Sequence, residues 1–422
     1  MDLTEPLKIR EFRRFWLATT VSLTGDQLTF IAMPWLVLKL TGDPLVMGTV
    51  IAVAAVPRAV FMLIGGAVTD TYSPRVVMIV SNLVRMMLMG ILTYLTFSGQ
   101  IDIWVIFVIA FTFGLADAFM FPAASAFPPR LLERHRLAAG NSLIQGTAQL
   151  TLVIGPLLAG LLIAGLSGGD SAIEDSRGLS LVFGLDTLTF IVPIIALASI
   201  RDRFPPEQKP GGKMLGSLVE GLRYTWQDVP LRTFALMLAV LSLVFRGPFV
   251  VGIPAFADAY LSEGAAGFGI IMSALGVGSI IGTIVAGTTR HPAPHRLGVL
   301  LLLDFASFGL IFISMTYVHH LELIAGAVFV GGILDGYIII LLITWTQKRV
   351  PAEKLGRVMS VVMLFGQGLF PLSSAVAGAA AGWDLLMMLG VAGVIMLSTT
   401  LVGFAFPVIR RMGYPPQAVQ KG

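Results

Sequence analysis

Apolar runs long enough to cross a bilayer recur along the chain, separated by short polar breaks. A transmembrane helix needs about 20 predominantly apolar residues. Twelve runs meet that length. The first six fall at 15–40, 45–69, 75–97, 102–126, 138–166 and 179–200, and the second six at 232–260, 266–288, 296–317, 321–346, 357–381 and 384–408. One connection is longer than the rest, the polar stretch 201–231. The pattern predicts an all-α membrane protein with about twelve transmembrane helices. The first run is expected to remain in place rather than be removed as a leader, because it is too long and no small-residue cleavage site follows a short apolar core.

Composition agrees with the pattern. Charged residues make up 12% and hydrophobic residues 56%, whereas soluble domains carry about 25% charged residues. So little charge cannot cover a water-facing surface, and lipid must solvate most of the exterior. There is no cysteine, which excludes disulfides, thiolate metal sites and cysteine nucleophiles. The sequence pI is 9.4, but the basic residues are not gathered for nucleic acid. With both termini and the even-numbered loops placed inside, the inner segments hold 23 of the 28 Lys and Arg, and only Lys39 and Arg177 lie outside. That asymmetry is the positive-inside signature. It predicts a multi-pass protein of the cytoplasmic (inner) membrane with both termini cytoplasmic, and no nucleic-acid partner. Within the long connection, Leu215, Leu218, Val219, Leu222 and Trp226 fall at helical spacing, as in a helix lying in the inner interface or in an ordinary linker helix.

The two halves resemble each other at a near-constant offset. Leu137, Ser142, Gln149, Ala159 and Gly160 match Leu355, Ser360, Gln367, Ala377 and Gly378, while Gly48, Gly66 and Pro34 match Gly269, Gly287 and Pro254. Each identity is weak alone, and the shared offset is the signal. It predicts two pseudo-symmetric six-helix bundles, 1–200 and 232–422, joined by the linker 201–231, in the parallel-repeat arrangement of secondary transporters.

Three stretches resemble the major facilitator superfamily. GGAVTDTYSPR (65–75) is similar to its loop motif, with Gly66, Asp70 and Arg75 in place, although Thr71 and Pro74 stand where basic residues are usual. GPLLAG (155–160), with Gly155, Pro156 and Gly160, is similar to the antiporter motif of exporters, with Ser142 and Thr151 in place of its upstream glycines. LTGDQLTFIAMPWLVLKLTG, GLADAFMFPA and TQKRVPAEKLGRVMS resemble the macrolide-efflux and siderophore-exporter branch of drug/proton antiporters. The resemblance implies the major facilitator fold, export by alternating access, and a gate in which Asp70 holds Arg75 or meets the N-terminus of helix eleven. The glycines of GPLLAG let helices approach closely and Pro156 bends helix five, which serves either a pivot or plain packing.

Charges inside spans are expensive and mark function or pairing. Asp26, Arg58, Arg85, Asp117, Asp186, Arg246, Asp304 and Asp335 fall within the runs. The resemblance implies that helices one, four, seven and ten line the cavity, which singles out Asp26, Asp117, Arg246 and Asp335, with Arg58 available to neutralise Asp26 or Asp117. An apolar cavity favours a protonated carboxyl, and a neighbouring arginine opposes that. Asp26 is the leading candidate for the proton carrier. Asp117 is also a candidate for the gate network around Asp70. Arg85, Asp186 and Asp304 are expected to be structural or snorkelling. All five histidines lie in loops or at span ends, and no cofactor or metal site is expected. There is no GxxxxGK[ST] phosphate loop and no catalytic constellation, so an enzyme is not expected.

The leading expectation is a monomeric proton-coupled antiporter in contact with membrane lipids, exporting amphiphilic or hydrophobic small molecules. The alternatives are export of a defined metabolite such as a siderophore, transport of a lipid, or a receptor or scaffold without flux.

Overall fold

The computed structural model describes residues 4–166, 172–200, 214–289 and 296–410. Among them, twelve helices are long and apolar enough to cross a membrane. Helices one to five are Arg10–Thr41, Pro44–Thr71, Pro74–Phe97, Ile103–Ala126 and Leu137–Leu166. Helix six has two pieces, Ala172–Thr189 and Ile191–Ser199. Helix seven has three, Val229–Val244, a π-helical turn Pro248–Gly252, and Ile253–Tyr260. Helices eight, nine and ten are Gly264–Thr288, Leu297–Met315 and Leu321–Arg349. Helix eleven is split into Ala352–Gln367 and Phe370–Trp383, and helix twelve is Leu385–Ala405. The expected twelve-helix architecture is therefore present.

Local chemistry sets the ends. Asp43, Asp102, Asp228 and Asp384 each accept a hydrogen bond from the backbone N–H two or three residues on. These N-caps satisfy donors left free at a helix start and open helices two, four, seven and twelve. Helix one stops at Gly42, whose φ of 63° is the left-handed conformation glycine adopts without a Cβ clash. Outward-facing positions are apolar, among them Trp104, Leu401 and Trp383, as lipid solvation requires.

The chain divides into two compact units. One holds helices one to six together with Ala257–Ser273, and the other holds the linker helix, the rest of helix seven, and the chain from Ala274 onward. In the first, Phe12, Phe15, Met78, Phe127, Leu131 and Ile200 form a core at one end of the helices. In the second, the Phe245 ring packs against Phe249, Phe308 and Phe312. The linker helix Met214–Gln227 docks on helix eleven. A Cβ on Gly221 would come within 2.4 Å of the Arg357 carbonyl, Glu220 pairs with Arg357, and Lys354 sits 4.9 Å over the Tyr224 ring. Residues 201–213 of the expected linker lie outside the described residues.

Candidate functional site

In the first unit the intramembrane charges converge. Arg85 on helix three is 3% exposed and donates through Nη2 to Asp26 Oδ1 on helix one. Its Nε lies 3.3 Å from Asp117 Oδ1 on helix four, an ion pair without hydrogen-bond geometry. Arg58 on helix two reaches Asp117 Oδ2 at 3.3 Å. The guanidinium is sandwiched between Phe113 at 4.6 Å and Phe190 at 4.8 Å, so cation–π attraction supplements the ion pairs. Asp186 on helix six is fully buried and accepts from Thr29 Oγ1 and, at 3.1 Å, from Thr189 Oγ1. Gly25 makes room for it. A Cβ there would fall 2.2 Å from both Asp186 Oδ1 and Thr189 Oγ1.

Arg85 and Asp186, expected to be structural or snorkelling, are buried and partnered, so neither snorkels. Snorkelling needs a position near a helix end and a lipid-facing side. Arg85 instead falls on the buried stripe of helix three, in step with Val77, Met78, Ser81, Asn82, Met89 and Leu92. Ser81 and Asn82 on that stripe were the available signal, since polar residues at helical spacing within a span mark its inward face. Arg58 pairs with Asp117, while Asp26 takes Arg85.

In the second unit, Arg246 donates through Nη1 to Gln367 Oε1 at 2.7 Å, and the carboxylate whose charge acts on it is Asp335 of helix ten. Both partners sit at helix breaks. Gln367 ends the first piece of helix eleven. At Arg246 the ladder of helix seven is opened by a side chain. The Gly247 N–H donates to Ser373 Oγ at 2.8 Å instead of closing on Leu243, and the Ser373 hydroxyl donates to the Leu243 carbonyl at 2.7 Å. A hydroxyl inserted into the ladder is a specific cause of a break, and it gives both the Gly247 N–H and the Leu243 carbonyl a partner inside the bilayer. Gly247 permits the approach, because a Cβ would come within 2.1 Å of the Ser373 carbonyl. Interrupted helices at mid-membrane are where transporters build binding sites. Asp304, expected like Arg85 and Asp186 to be structural or snorkelling, is 2% exposed and does not snorkel.

The motif residues fall as follows. Gly66 lies within helix two, and the Asp70 side chain lies outside the described residues. Arg75 opens helix three and donates through Nη1 to the Ile200 carbonyl at the end of helix six. Gly155 receives Gln27 of helix one; a Cβ on Gly155 would lie 2.3 Å from the Gln27 Cβ. Pro156 and Gly160 lie against helix eight, where a Cβ on Gly160 would reach the Ala265 carbonyl at 2.7 Å and one on Gly269 the Pro156 carbonyl at 2.5 Å. Ser273 Oγ donates to the Val153 carbonyl at 2.8 Å in the same stretch. GPLLAG is therefore a close-packing surface in this structure. Among the described residues no group of three His, Cys, Asp or Glu is placed to hold a metal.

Twelve membrane-length helices with charged groups gathered inside them, and helices broken at those groups, define a secondary transporter of the major facilitator superfamily. The chain belongs to the family described as "Transmembrane secretion effector", whose model matches residues 3–414. Among curated relatives it is similar to the "Multidrug efflux pump Tap" of Mycolicibacterium fortuitum, 26% identical over 84% of this chain and 85% of that one. It is also similar to the "Enterobactin exporter EntS" of Shigella boydii, 25% identical over 94% and 89%. Among solved structures it resembles the nucleoside transporter NupG, with a TM-score of 0.67, 12% identity and coverage of 97% and 99%. A bacterial homologue of the iron transporter ferroportin gives a TM-score of 0.70 at 16% identity over 94% and 98%. At these identities the structural likeness shows the fold alone.

Proposed function

We propose that the protein is a proton-coupled antiporter that exports amphiphilic or hydrophobic small molecules by alternating access. The observation that carries this reading is the buried network Asp26–Arg85–Asp117. A carboxylate in a span must be paired, hydrated or protonated. Asp26 is partly exposed, with 27% of its side chain accessible. It can therefore exchange a proton while Arg85 alternates between Asp26 and Asp117. Protonation of Asp26 releases Arg85 to Asp117, and loss of the proton draws it back. The functional halves are those of the repeat, 1–200 and 232–422, moving about the linker 201–231. The chain acts as a monomer in the inner membrane with both termini cytoplasmic. Asp70 and Arg75 form the inner gate, and helix five with Gly155, Pro156 and Gly160 is the packed pivot. The multidrug relative supports a broad substrate range. The enterobactin-exporter relative, matched over more of this chain, supports a second reading in which the cargo is one siderophore-like metabolite.

The test is flux in proteoliposomes under an imposed pH gradient, with a panel of cationic dyes, neutral amphiphiles and a catecholate siderophore. Wild type should drive uphill export with counter-movement of protons. Asp26→Asn should lose uphill export and keep downhill exchange. Flux indifferent to the gradient would sink the coupling, and flux of the catecholate alone would select the second reading. Single cysteines introduced at positions 209 and 353 should label only from the cytoplasmic side, and one at 172 only from outside.

A further inference from the structure

The three charges gathered in the first unit have positional counterparts in the second. Asp26, Arg85 and Asp117 precede Arg246, Asp304 and Asp335 by 220, 219 and 218 residues, the spacing of the internal repeat. The counterparts lie on the corresponding helices seven, nine and ten. Burial follows the same plan. The residue on helix three or nine is the buried apex, Arg85 at 3% and Asp304 at 2% exposed, and the other two in each unit are partly exposed.

The signs differ, and that decides the chemistry. In the first unit a buried cation sits between two carboxylates. In the second the buried position is itself a carboxylate, Asp304, and the residue at the place of Asp117 is another carboxylate, Asp335, whose charge acts on it. Asp304 Oδ1 has no hydrogen-bond partner. Among the described residues no cation pairs with Asp304. Helix twelve and the remainder of helix nine contain no ionisable side chain. Helix ten adds Glu322, Tyr337, Lys348 and Arg349, of which Arg349 pairs with Asp228. The turn Pro407–Arg410, packed on helix nine, adds Arg410. Near the break of helix seven the charge is Arg246, which acts on Asp335. An ionised carboxylate so buried and unpaired, beside a like charge, carries a desolvation cost of several kcal/mol or more, on the order of a domain's whole stability. One bound cation removes it.

We propose that the second unit holds a proton of its own, stored on Asp304 and exchanged through Asp335. Asp304 is the sealed carboxyl. Asp335, partly exposed and under the charge of Arg246, is the gate for the proton. The exchange is balanced: Asp304–COOH and Asp335–COO⁻ become Asp304–COO⁻ and Asp335–COOH, and the proton then leaves Asp335 to water as Arg246 closes on the freed carboxylate. This deepens the coupling reading above and rests on it for its role in transport, but not for the existence of the site.

Infrared difference spectroscopy on the purified full-length protein tests it. A protonated carboxyl shows a carbonyl stretch above the amide band. Wild type at neutral pH should show such a band, lost in Asp304→Asn and shifted in Asp335→Asn, which changes the charge acting on it. The second variant serves should the first fail to fold. A band unchanged in both variants overturns the proposal, and so does a band that disappears when choline is replaced by sodium, since the cation stored would then be a metal ion. A protein that keeps the Asp304 band but transports without pH dependence leaves the site standing and removes the coupling. pH-driven export with no Asp304 band does the reverse.

Discussion

Helices one and five cross in the first unit as helices seven and eleven cross in the second, and the two crossings are built from exchanged parts. In the first, Gly155 of helix five supplies the space and Gln27 of helix one fills it. At the repeat-related places of the second, Ser373 stands for Gly155 and Gly247 for Gln27. The approach is equally close, but a serine now faces a glycine, and its hydroxyl reaches the backbone it packs on and opens helix seven. The repeat fixes where side chains meet, and the identities at those places decide what the meeting does. The charges follow the same rule. The first unit straps Asp26 and Asp117 to a buried arginine across the continuous helices one, three and four, and holds Asp186 by two threonine hydroxyls. The second leaves a buried carboxylate without a counter-ion beside interrupted helices. The first unit is therefore the electrostatically closed half, and the second has conformational and protonation slack.

The largest expected effect comes from taking the strap away. Arg85→Gln leaves Asp26 without its cation and Asp117 with only the half-exposed Arg58. Breaking a buried ion pair by removing one partner costs about 3–5 kcal/mol. The expected outcome is a large fall in the thermal unfolding midpoint in detergent, partly restored by Arg85→Lys and further restored when Asp26→Asn accompanies Arg85→Gln. If Arg85→Gln unfolds at the wild-type temperature, the closed character of the first unit does not lie in its charges.

Much of this architecture was legible in the sequence. Run length fixed the twelve helices, because a bilayer demands length and apolarity and little else. The offset of the repeat, read from Gly160 and Gly378 among others, announced two related halves. The charges Asp26, Asp117, Arg246 and Asp335 were singled out from the family resemblance. What could not be read was rotation about each helix axis. On helix nine a lone Asp304 gives almost no periodic signal, because the lipid-facing and protein-facing sides are equally hydrophobic, whereas Arg85 shares its stripe with Ser81 and Asn82. The helix breaks were partly hidden. The pair Gly247–Pro248 marks a possible opening, but the hydroxyl that fills it belongs to Ser373, more than a hundred residues away. A further signal was present and unused: the repeat offset, applied to the charges instead of the glycines, pairs Arg85 with Asp304 directly.

Gly25→Ala probes the packing side of the comparison. The added methyl would lie 2.2 Å from the oxygens of Asp186 and Thr189, so helix one must move off helix six. Overpacking costs about 1–3 kcal/mol, and two polar atoms held by hydrogen bonds place this case toward the upper end. The hydrogen bond from Thr29 to Asp186 should be disrupted with it. Lower stability with uphill export lost is the expected result. Wild-type stability and flux would mean that helix six adapts freely and that the first unit is no tighter than the second.

Ser373→Ala asks whether the slack of the second unit is made by one hydroxyl. Without it, the Gly247 N–H and the Leu243 carbonyl either close on each other or stay unpaired. An unpaired buried group costs about 1–3 kcal/mol, and closure of the helix would recover part of that, so a loss of about 1 kcal/mol is expected. The diagnostic is a paired distance measurement between labels flanking the π-helical turn, on either side of Pro248–Gly252. Straightening of helix seven should shorten the spread of distances and slow transport, and an unchanged spread would assign the break to the Pro248 ring instead.

The smallest effect is expected where the ion pair is easiest to see. Lys39 Nζ lies 2.7 Å from Asp258 Oδ1 within the first unit, with side chains 37% and 28% exposed, and Lys39 also sits 5.2 Å over the Trp35 ring. The distance is that of a strong charge-assisted bond, yet water reaches both groups. Exposed pairs measured by double-mutant cycles contribute about 0.2–1 kcal/mol, and salt at about 0.15 M already screens charges beyond about 8 Å. A cycle of Lys39→Ala and Asp258→Ala should therefore return a coupling energy below about 1 kcal/mol that shrinks further as salt is raised. The same cycle at Arg85 and Asp26 should return several times more and respond weakly to salt, because the Arg85 guanidinium is shielded by protein. If the two cycles agree in size and in salt dependence, burial is not what separates the strapped unit from the slack one, and the contrast between the halves reduces to a count of charges.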